Sequence, residues 1–550
     1  MLDLLLSVIE YGSYVSIIKF LVFIVSFFLW ISLAVWLNED VAIVGENEFL
    51  WKTVVTATGI LATIIWLLVP VFIVGFILYL LAVGITAIIY VKYRNSRVLE
   101  YDRILNIDHI KSLLSAKGQK KMDELKRFLF ITANKNEISM PGPKTAEFFG
   151  YRAAYDLFND ALWRRASVIV FSPTSQGYAL SYEVDGAILK QPAISKEQMD
   201  YFIPFIKNLA DLDVKERRKP QKGKFSIRRE SDDVKWEVST AGSTAGEQLQ
   251  VKLITQEDVS RLSDIGLTKN QYDQMNQIRD AKEGVFIISG PKKSGVTTSF
   301  YAMIRNHDSF LNSINTLERK PSGELDNVTQ DVYSLSDTGT MSYANKLRFI
   351  VRMGPDIVGA DECLDKETAN IICEAAKDGK IIYVNIEADN AIRAFAKWIN
   401  LVGDRKLAID VLLGISNQRL LRNLCNECKQ AYTPNKELLK KFSLPTEKTK
   451  ALYRPGKVIY DKHGKESTCE NCQGTGFVGR TGVFEIITLD DQLKKNISQL
   501  TSLAEISAQF RAAKMLYLQQ QALRKIITGV TSVNEMIRVL SKPENKKPKK

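Results

Sequence analysis

The stretch Gly290-Pro291-Lys292-Lys293-Ser294-Gly295-Val296-Thr297-Thr298 decides the fold. An apolar run, Val285-Phe286-Ile287-Ile288, precedes it, and the spacing after it predicts a helix from Thr297 to Arg305. Strand, glycine-bounded loop and helix is the order in which a P-loop cradles phosphate, because loop N–H groups and the helix N-terminus converge on the anion. The pattern is G-x-x-x-x-G-K-[ST]. Gly290, Gly295 and the hydroxyl of Thr297 fit it, whereas Val296 stands at the lysine position. Gly290, Pro291, Lys292, Lys293, Ser294, Gly295, Thr297 and Thr298 are thus candidate nucleotide-binding residues, with Thr297 a candidate Mg²⁺ ligand. This is a P-loop without its cation.

From Gly284 onward strands and helices alternate, which predicts a parallel sheet covered by helices. Ile314 to Leu317 is a strand ending at Glu318, and Leu347 to Met353 is helical. There follows Pro355-Asp356-Ile357-Val358-Gly359-Ala360-Asp361-Glu362. A short apolar strand ending in two carboxylates suits a phosphate site: one holds Mg²⁺ through water and the other polarises the attacking water. Asp361 is the candidate for Mg²⁺ and Glu362 the candidate catalytic residue.

Cys425-x-x-Cys428 and Cys469-x-x-Cys472 supply two thiolate pairs, enough for a closed tetrahedral site of the structural zinc type. His463 is a spare, and Cys363 and Cys373 read as buried thiols. Six cysteines, four of them in such pairs, fit metal in a reducing compartment better than disulfides.

The amino-terminal part reads as membrane. Phe20 to Leu37 is long enough to cross a bilayer. Thr53 to Val91 is either one long kinked helix or two spans about Pro70, giving two or three spans in all. Asn38 to Lys52 is acidic, while Lys92, Arg94 and Arg97 follow the last apolar residues, which places everything after about residue 92 in the cytoplasm. The acidic opening, Asp3 and Glu10, argues against a cleaved signal peptide.

The chain of 550 residues has a net charge of +12, concentrated in Lys215 to Arg229 and in the tail Lys546-Lys547-Pro548-Lys549-Lys550. Such clusters suit anionic lipid or an acidic partner, although a solvated face is their commoner meaning. Without an aromatic-interleaved basic face or a DNA-binding motif, nucleic acid is not an expected partner. Residues 98–150 read as a connector punctuated by Met140-Pro141-Gly142-Pro143. An α+β domain follows over 151–256, with strands at Ser167 to Phe171, Tyr178 to Val184, Lys235 to Val238 and Leu249 to Ile254. Asp185-Gly186 marks a turn, and Glu197 to Leu209 a helix in spite of Pro204.

Together these residues resemble the type II secretion and type IV pilus assembly ATPase family. The similarity spans about residues 150 to 540. Its carriers include Val184-Asp185-Gly186, Glu216-Arg217-Arg218 with Pro220-Gln221, Gly246-Glu247, Gly290-Pro291, Ser294-Gly295 and Thr297-Thr298. Further on come Leu347-Arg348, Arg352, Pro355-Asp356, Glu362, Asp365, Gln418-Arg419-Leu420, Leu424-Cys425 and Gly474-Thr475-Gly476. The resemblance implies an α/β fold: a membrane anchor over 1–97, a small α+β domain, then a RecA-like P-loop ATPase domain over 257–540. That domain carries an inserted zinc subdomain over 419–480 and a helical carboxyl-terminal part, and a basic tail occupies 541–550. It implies zinc, ATP and Mg²⁺ as ligands and a ring-forming oligomer, a homohexamer or a mixed hexamer with an active paralogue. The membrane and the inner-membrane platform proteins of a secretion or pilus machine are the implied partners.

The departures from the family pattern concern charge. Val296 replaces the P-loop lysine, Glu237 the arginine before Val-Ser-Thr, and Gln248 the arginine after Gly-Glu. Glu318-Arg319 replaces an acidic pair, Lys380 and Glu387 replace two histidines, and Asp361 replaces the glycine before the catalytic glutamate. Leu364 replaces a further arginine, and Ser167-Val168 a serine-aspartate motif. A charged hydrogen bond to phosphate is worth about 1.5–3 kcal/mol, and an arginine finger about 10³–10⁵ in rate. The expectation is a degenerate family member with weak or no hydrolysis, and the alternative a working motor with a displaced lysine. The tetracysteine site is kept while the phosphate site is not.

Overall fold

A computed structural model describes residues 17–44, 48–97, 128–142, 145–229, 232–254, 261–334, 336–442, 444, 451–456, 459–460 and 466–541. Asp3, Glu10, the connector over 98–127, Pro143, His463 and the tail beyond residue 541 lie outside the described residues.

Three apolar helices come first: α1 (Ile17–Val44), α2 (Glu48–Leu68) and α3 (Phe72–Arg97). Their 28, 21 and 26 residues each suffice to cross a bilayer. The break between α2 and α3 holds Pro70, whose ring and missing N–H end the helix, so Thr53 to Val91 is two helices about a tight turn. Small residues admit the indoles: a Cβ on Gly59 would stand 2.0 Å from Trp30 Nε1, and one on Gly75 2.6 Å from Trp66 Cδ1. Three helices put the acidic stretch, which spans the end of α1 and the start of α2, at the same end as the basic end of α3. There the buried Asp40 Oδ2 accepts from Tyr90 Oη at 2.7 Å and from Arg94 Nε at 2.6 Å. The contrast between the acidic and basic segments therefore does not span the bundle. Only the basic excess after Lys92 bears on sidedness.

The described residues form two compact units, one within 1–159, 170–180 and 191–252 and the other within 160–169, 181–190 and 253–550. A nine-stranded sheet comprises β1 (Phe128–Ile131), β2 (Glu137–Ile138), β3 (Val168–Thr174), β4 (Gly177–Val184), β5 (Ala187–Lys190), β6 (Ile194–Ser195), β7 (Gln221–Arg229), β8 (Asp232–Ser243) and β9 (Gly246–Ile254). Its order is β2-β1-β7-β8-β9-β3-β4-β5, with β6 on β4, and it is accompanied by α4 (Ala146–Trp163) and α5 (Lys196–Leu209). β1 lies inside the expected connector, and its Phe128 and Phe130 are buried against β7 and α4, so ordered structure starts well before residue 150. β7 was hidden in the basic cluster Lys215 to Arg229: Phe225 and Ile227 face inward while the cations face out. Helix α5 runs through Pro204 because Met199, Phe202, Phe205, Ile206 and Leu209 are all buried, and packing outweighs propensity.

The second unit holds α6 (Lys269–Arg279), β10 (Gly284–Gly290), α7 (Val296–Ile304), β11 (Ile314–Glu318), β12 (Thr329–Val332), α8 (Tyr343–Arg352) and β13 (Ile357–Ala360). It continues with α9 (Lys366–Lys377), β14 (Ile381–Glu387), α10 (Ala391–Val402), α11 (Arg405–Asp410), β15 (Leu412–Leu424) and β16 (Phe477–Thr488). Four helices close it: α12 (Asp491–Ser498), α13 (Leu503–Ala512), α14 (Leu518–Ile527) and α15 (Val533–Leu540). The sheet order is β12-β11-β13-β14-β10-β15-β16, parallel except for the antiparallel β15–β16 pair. Val285, Phe286, Ile287 and Ile288 of β10 are fully buried, as a central parallel strand with both faces covered requires.

Helix α15 is fastened by the fully buried carboxylate of Glu535. It accepts from Arg422 Nη2 at 2.8 Å, from Arg538 Nη2 at 2.6 Å and from Arg422 N at 3.1 Å. Burial pushes its pKa up, but the bonds from Arg538 and Arg422 outweigh burial and hold it down at about 2. A depressed carboxylate stabilises the fold above its unfolded value and loses that contribution as pH falls towards the folded one. Glu535→Gln should therefore cost about 3–5 kcal/mol near neutral pH. Melting of the detergent-solubilised chain checks this: the gap between variant and parent should narrow as pH falls from ~4.5 towards ~2.

Candidate nucleotide site and metal centre

β10, β13 and β14 run parallel, so the loop after β10 and the carboxylates after β13 lie at the same edge of the sheet, with β14 between their strands. Ligands of open α/β sheets bind at this carboxyl edge. The loop is tight: Ser294 N donates to Pro291 O at 3.2 Å, and Gly295 caps α7 at φ 85°. A Cβ on Gly290 would stand 2.2 Å from Ser294 Oγ and 3.0 Å from Gln418 O, so glycine is required there.

Its charge is another matter. Val296 packs against the buried cluster that contains Phe286, Ile288 and Phe300, with Cγ2 at 3.1 Å from a Cβ placed on Gly290. Lys293, at a left-handed φ of 64°, puts Nζ 2.8 and 3.1 Å from the two carboxylate oxygens of Glu183, which belongs to the same compact unit. Lys292 and Thr297 are exposed, Pro291 and Thr298 half-buried, and Ser294 buried.

Asp361 and Glu362 follow β13. Asp361 Oδ2 accepts from Arg319 N at 2.6 Å, and Arg319 Nη2 lies 2.5 Å from Glu362 Oε2. Tyr343 Oη lies 3.4 Å from both Asp361 Oδ1 and Glu362 N. Glu318 is buried and accepts from neutral donors: Tyr301 Oη, Thr316 Oγ1 at 2.7 Å and Gln330 Nε2 at 3.2 Å. Burial chiefly, with the nearby Glu362 and Glu318 charges and against the Arg319 N–H bond, pushes Asp361 up to about 6. A carboxyl whose folded pKa exceeds its unfolded one binds extra protons in the fold, so its ionisation weakens the fold as pH rises through that interval. Asp361→Asn should stabilise the chain by about 2–3 kcal/mol at pH 7, with the gain vanishing below about pH 4. Thermal melts across that range test it.

The four cysteines converge. Cys425 and Cys428 follow β15, Cys469 and Cys472 precede β16, and all four Sγ atoms lie within 4.8 Å of one another. Sγ separations of 3.8 Å (Cys425–Cys469) and 3.6 Å (Cys428–Cys472) match the edge of about 3.8 Å expected of a tetrahedron with metal–sulfur bonds of about 2.3 Å. Each pair sits on a turn, closed by Lys429 N to Cys425 O at 3.0 Å and by Gln473 N to Cys469 O at 2.8 Å. Gly476 N donates to Cys472 Sγ at 3.3 Å, orienting the sulfur. The four thiols fit one metal ion. Cys363 and Cys373 are buried away from it, and burial pushes both thiols up to about 12, which keeps them inert.

Residues 151–538 match the family described as "Type II/IV secretion system protein". The chain belongs to that family. It is 28% identical to the type II secretion system ATPase E of Vibrio cholerae over 385 residues, covering 70% of this chain and 74% of that protein. To the type IV pilus assembly ATPase PilB of Thermus thermophilus it is 26% identical, covering 73% of this chain and 44% of PilB. Among solved structures the ATPase DotB of Legionella pneumophila shares the fold, with a TM-score of 0.50 and 14% identity over 72% of this chain and 96% of DotB. The sequence did not reveal that Arg319 closes on Glu362. Nor did the sequence reveal the Lys293–Glu183 pair. Neither has a local signature, since an ion pair depends on which strands become neighbours.

Proposed function

We propose that this secretion-system family member is a membrane-tethered, degenerate subunit with weak or no ATP hydrolysis, acting structurally or as a regulator in a secretion or pilus machine. The observation that carries this reading is the disposition of charge at the candidate nucleotide site. Val296 supplies no cation, Lys293 is paired with Glu183, and the carboxylate proposed to polarise water, Glu362, is paired with Arg319. A glutamate whose carboxylate is already engaged by a guanidinium is not free to orient an attacking water. The proposed nucleotide set remains Gly290, Pro291, Lys292, Lys293, Ser294, Gly295, Thr297 and Thr298, with Thr297 and Asp361 for Mg²⁺.

The relatives named as type II secretion and pilus assembly ATPases support a place in such a machine. On this reading the chain forms a ring, homomeric or mixed with an active paralogue, against inner-membrane platform proteins. Residues after about 92 face the cytoplasm, in keeping with the basic excess there. Zinc is the metal proposed for Cys425, Cys428, Cys469 and Cys472, since four closed thiolates with spacings of this kind select it.

Two features favour an active motor instead. Lys292 is exposed and held by no ion pair among the described residues, and Asp361-Glu362 offers two carboxylates where the family pattern has one. Phosphate release and binding of a fluorescent ATP analogue, measured on the full chain in detergent, separate the two readings.

A further inference from the structure

The first compact unit carries a groove of about 1160 Å³, walled by the β3–β4 turn, the start of α5, the loop before β7 and the β8–β9 turn. We propose that this groove docks an acidic peptide segment of a partner protein, read by Arg217, Arg218 and Lys196. The inference stands apart from the nucleotide question, since every lining residue belongs to this unit.

The loop that presents the arginines is locked from behind. Lys207, fully buried, lies 2.5 Å from Glu247 Oε1 and donates to Glu216 O at 2.6 Å and Asp213 O at 3.3 Å. Gln221 Nε2 donates to Glu216 O at 2.8 Å and Asp213 O at 3.1 Å, while its Oε1 accepts from Asp213 N at 2.8 Å. The Glu216 carboxylate accepts from the N–H groups of Arg218 and Lys219 at 2.8 and 3.0 Å. The loop's polar backbone is thus satisfied internally, which leaves two exposed guanidinium groups that no ion pair holds among the described residues.

Lys196 opens α5 across the groove, where the positive end of the helix dipole adds to its field. Against these three cations stand exposed Asp200 and the carboxylate of Glu247, the latter already matched by Lys207. The surplus is positive, and a rigid loop sheds little entropy on binding, so anionic groups gain most of the contact energy. The lining also offers Ile203, Pro204 and the ring of Tyr178 to apolar side chains between the acids. Its volume exceeds the ~300–1,000 Å³ usual for small-molecule pockets, and a concave groove cannot seat a flat bilayer. A peptide fits both limits.

Fluorescence anisotropy of the full chain in detergent, with a short fluorescein-labelled peptide alternating glutamate and leucine, tests the assignment. The peptide should bind, and its counterpart with glutamine for glutamate should not. Arg217→Glu/Arg218→Glu should weaken binding by at least about tenfold, since each charged hydrogen bond carries roughly that factor. Lys196→Glu, on a separate element, should weaken it as well. All three positions are exposed, so melting temperature and metal content should stay unchanged. Binding that survives both the double variant and Lys196→Glu overturns the proposal. So does displacement of the peptide by inorganic pyrophosphate with the same arginine dependence, which would mark a small-anion site, or by phosphatidylglycerol vesicles, which would mark a lipid one.

Discussion

Chelating the metal from the full chain, or replacing Cys469 by serine, is expected to unfold the segment from Cys425 to Gly476 while the β15–β16 ladder persists. Among its described residues the segment holds two short hairpins (Gln430–Tyr432 with Leu452–Arg454, Ile459–Tyr460 with Glu466–Ser467), the helix Lys436–Lys441 and the turns that present the thiols. Of these residues only Leu439, Leu444 and Leu452 join the buried apolar cluster with β15, β16, α14 and α15. Structural zinc contributes about 10–16 kcal/mol of apparent binding energy in small zinc peptides at neutral pH, more than three buried leucines supply at about 1.5–3 kcal/mol each. The ladder is different. It pairs Gly414 with Thr488 through to Leu424 with Phe477, and its Leu421, Val483 and Ile487 are buried. Elemental analysis of the purified chain should find one zinc per chain, and Cys469→Ser should abolish it. Trypsin should then cut within the segment, and a thiol reagent should reach the remaining cysteines. Full protease resistance in a metal-free chain would remove the metal from the account.

The second large effect concerns ATP. The parent chain is expected to release phosphate at background rate, and Val296→Lys is expected to tighten nucleotide binding about ten- to hundredfold, the worth of one charged hydrogen bond to phosphate. Adding Arg319→Ala frees Glu362 from its 2.5 Å partner and should produce measurable turnover where neither change alone does. Steady turnover by the parent, collapsing on Lys292→Ala or Lys293→Ala, would establish a displaced lysine and remove the degenerate reading. Lys293→Ala without effect on binding fits the observed geometry, since its ammonium is engaged by Glu183.

Much of the fold was written in short stretches. The Asp185-Gly186 turn has φ of 49° and 76°, the two positive values that a tight hairpin between twisted strands needs, and that dipeptide announces it. The glycines of the P-loop and the paired cysteines were equally explicit, because their geometry rests on residues a few positions apart. Less legible were β1 and β7. Alternation in β7 was masked by the cations on its outer face, and β1 is too short to declare itself without its partner strand. Whether Thr53 to Val91 is one kinked helix or two stayed open until Pro70 was seen to separate α2 from α3.

What the sequence determined alone was therefore the inventory: a glycine-bounded loop without a lysine at Val296, a tetracysteine cluster, apolar segments long enough to cross a bilayer, and membership of a secretion-system family. What only the tertiary structure decided was how the remaining charges are spent. Lys293 meets a carboxylate 110 positions away and Arg319 one 43 positions away. Electrostatic pairing depends on distance through space, which strand order sets and sequence spacing does not.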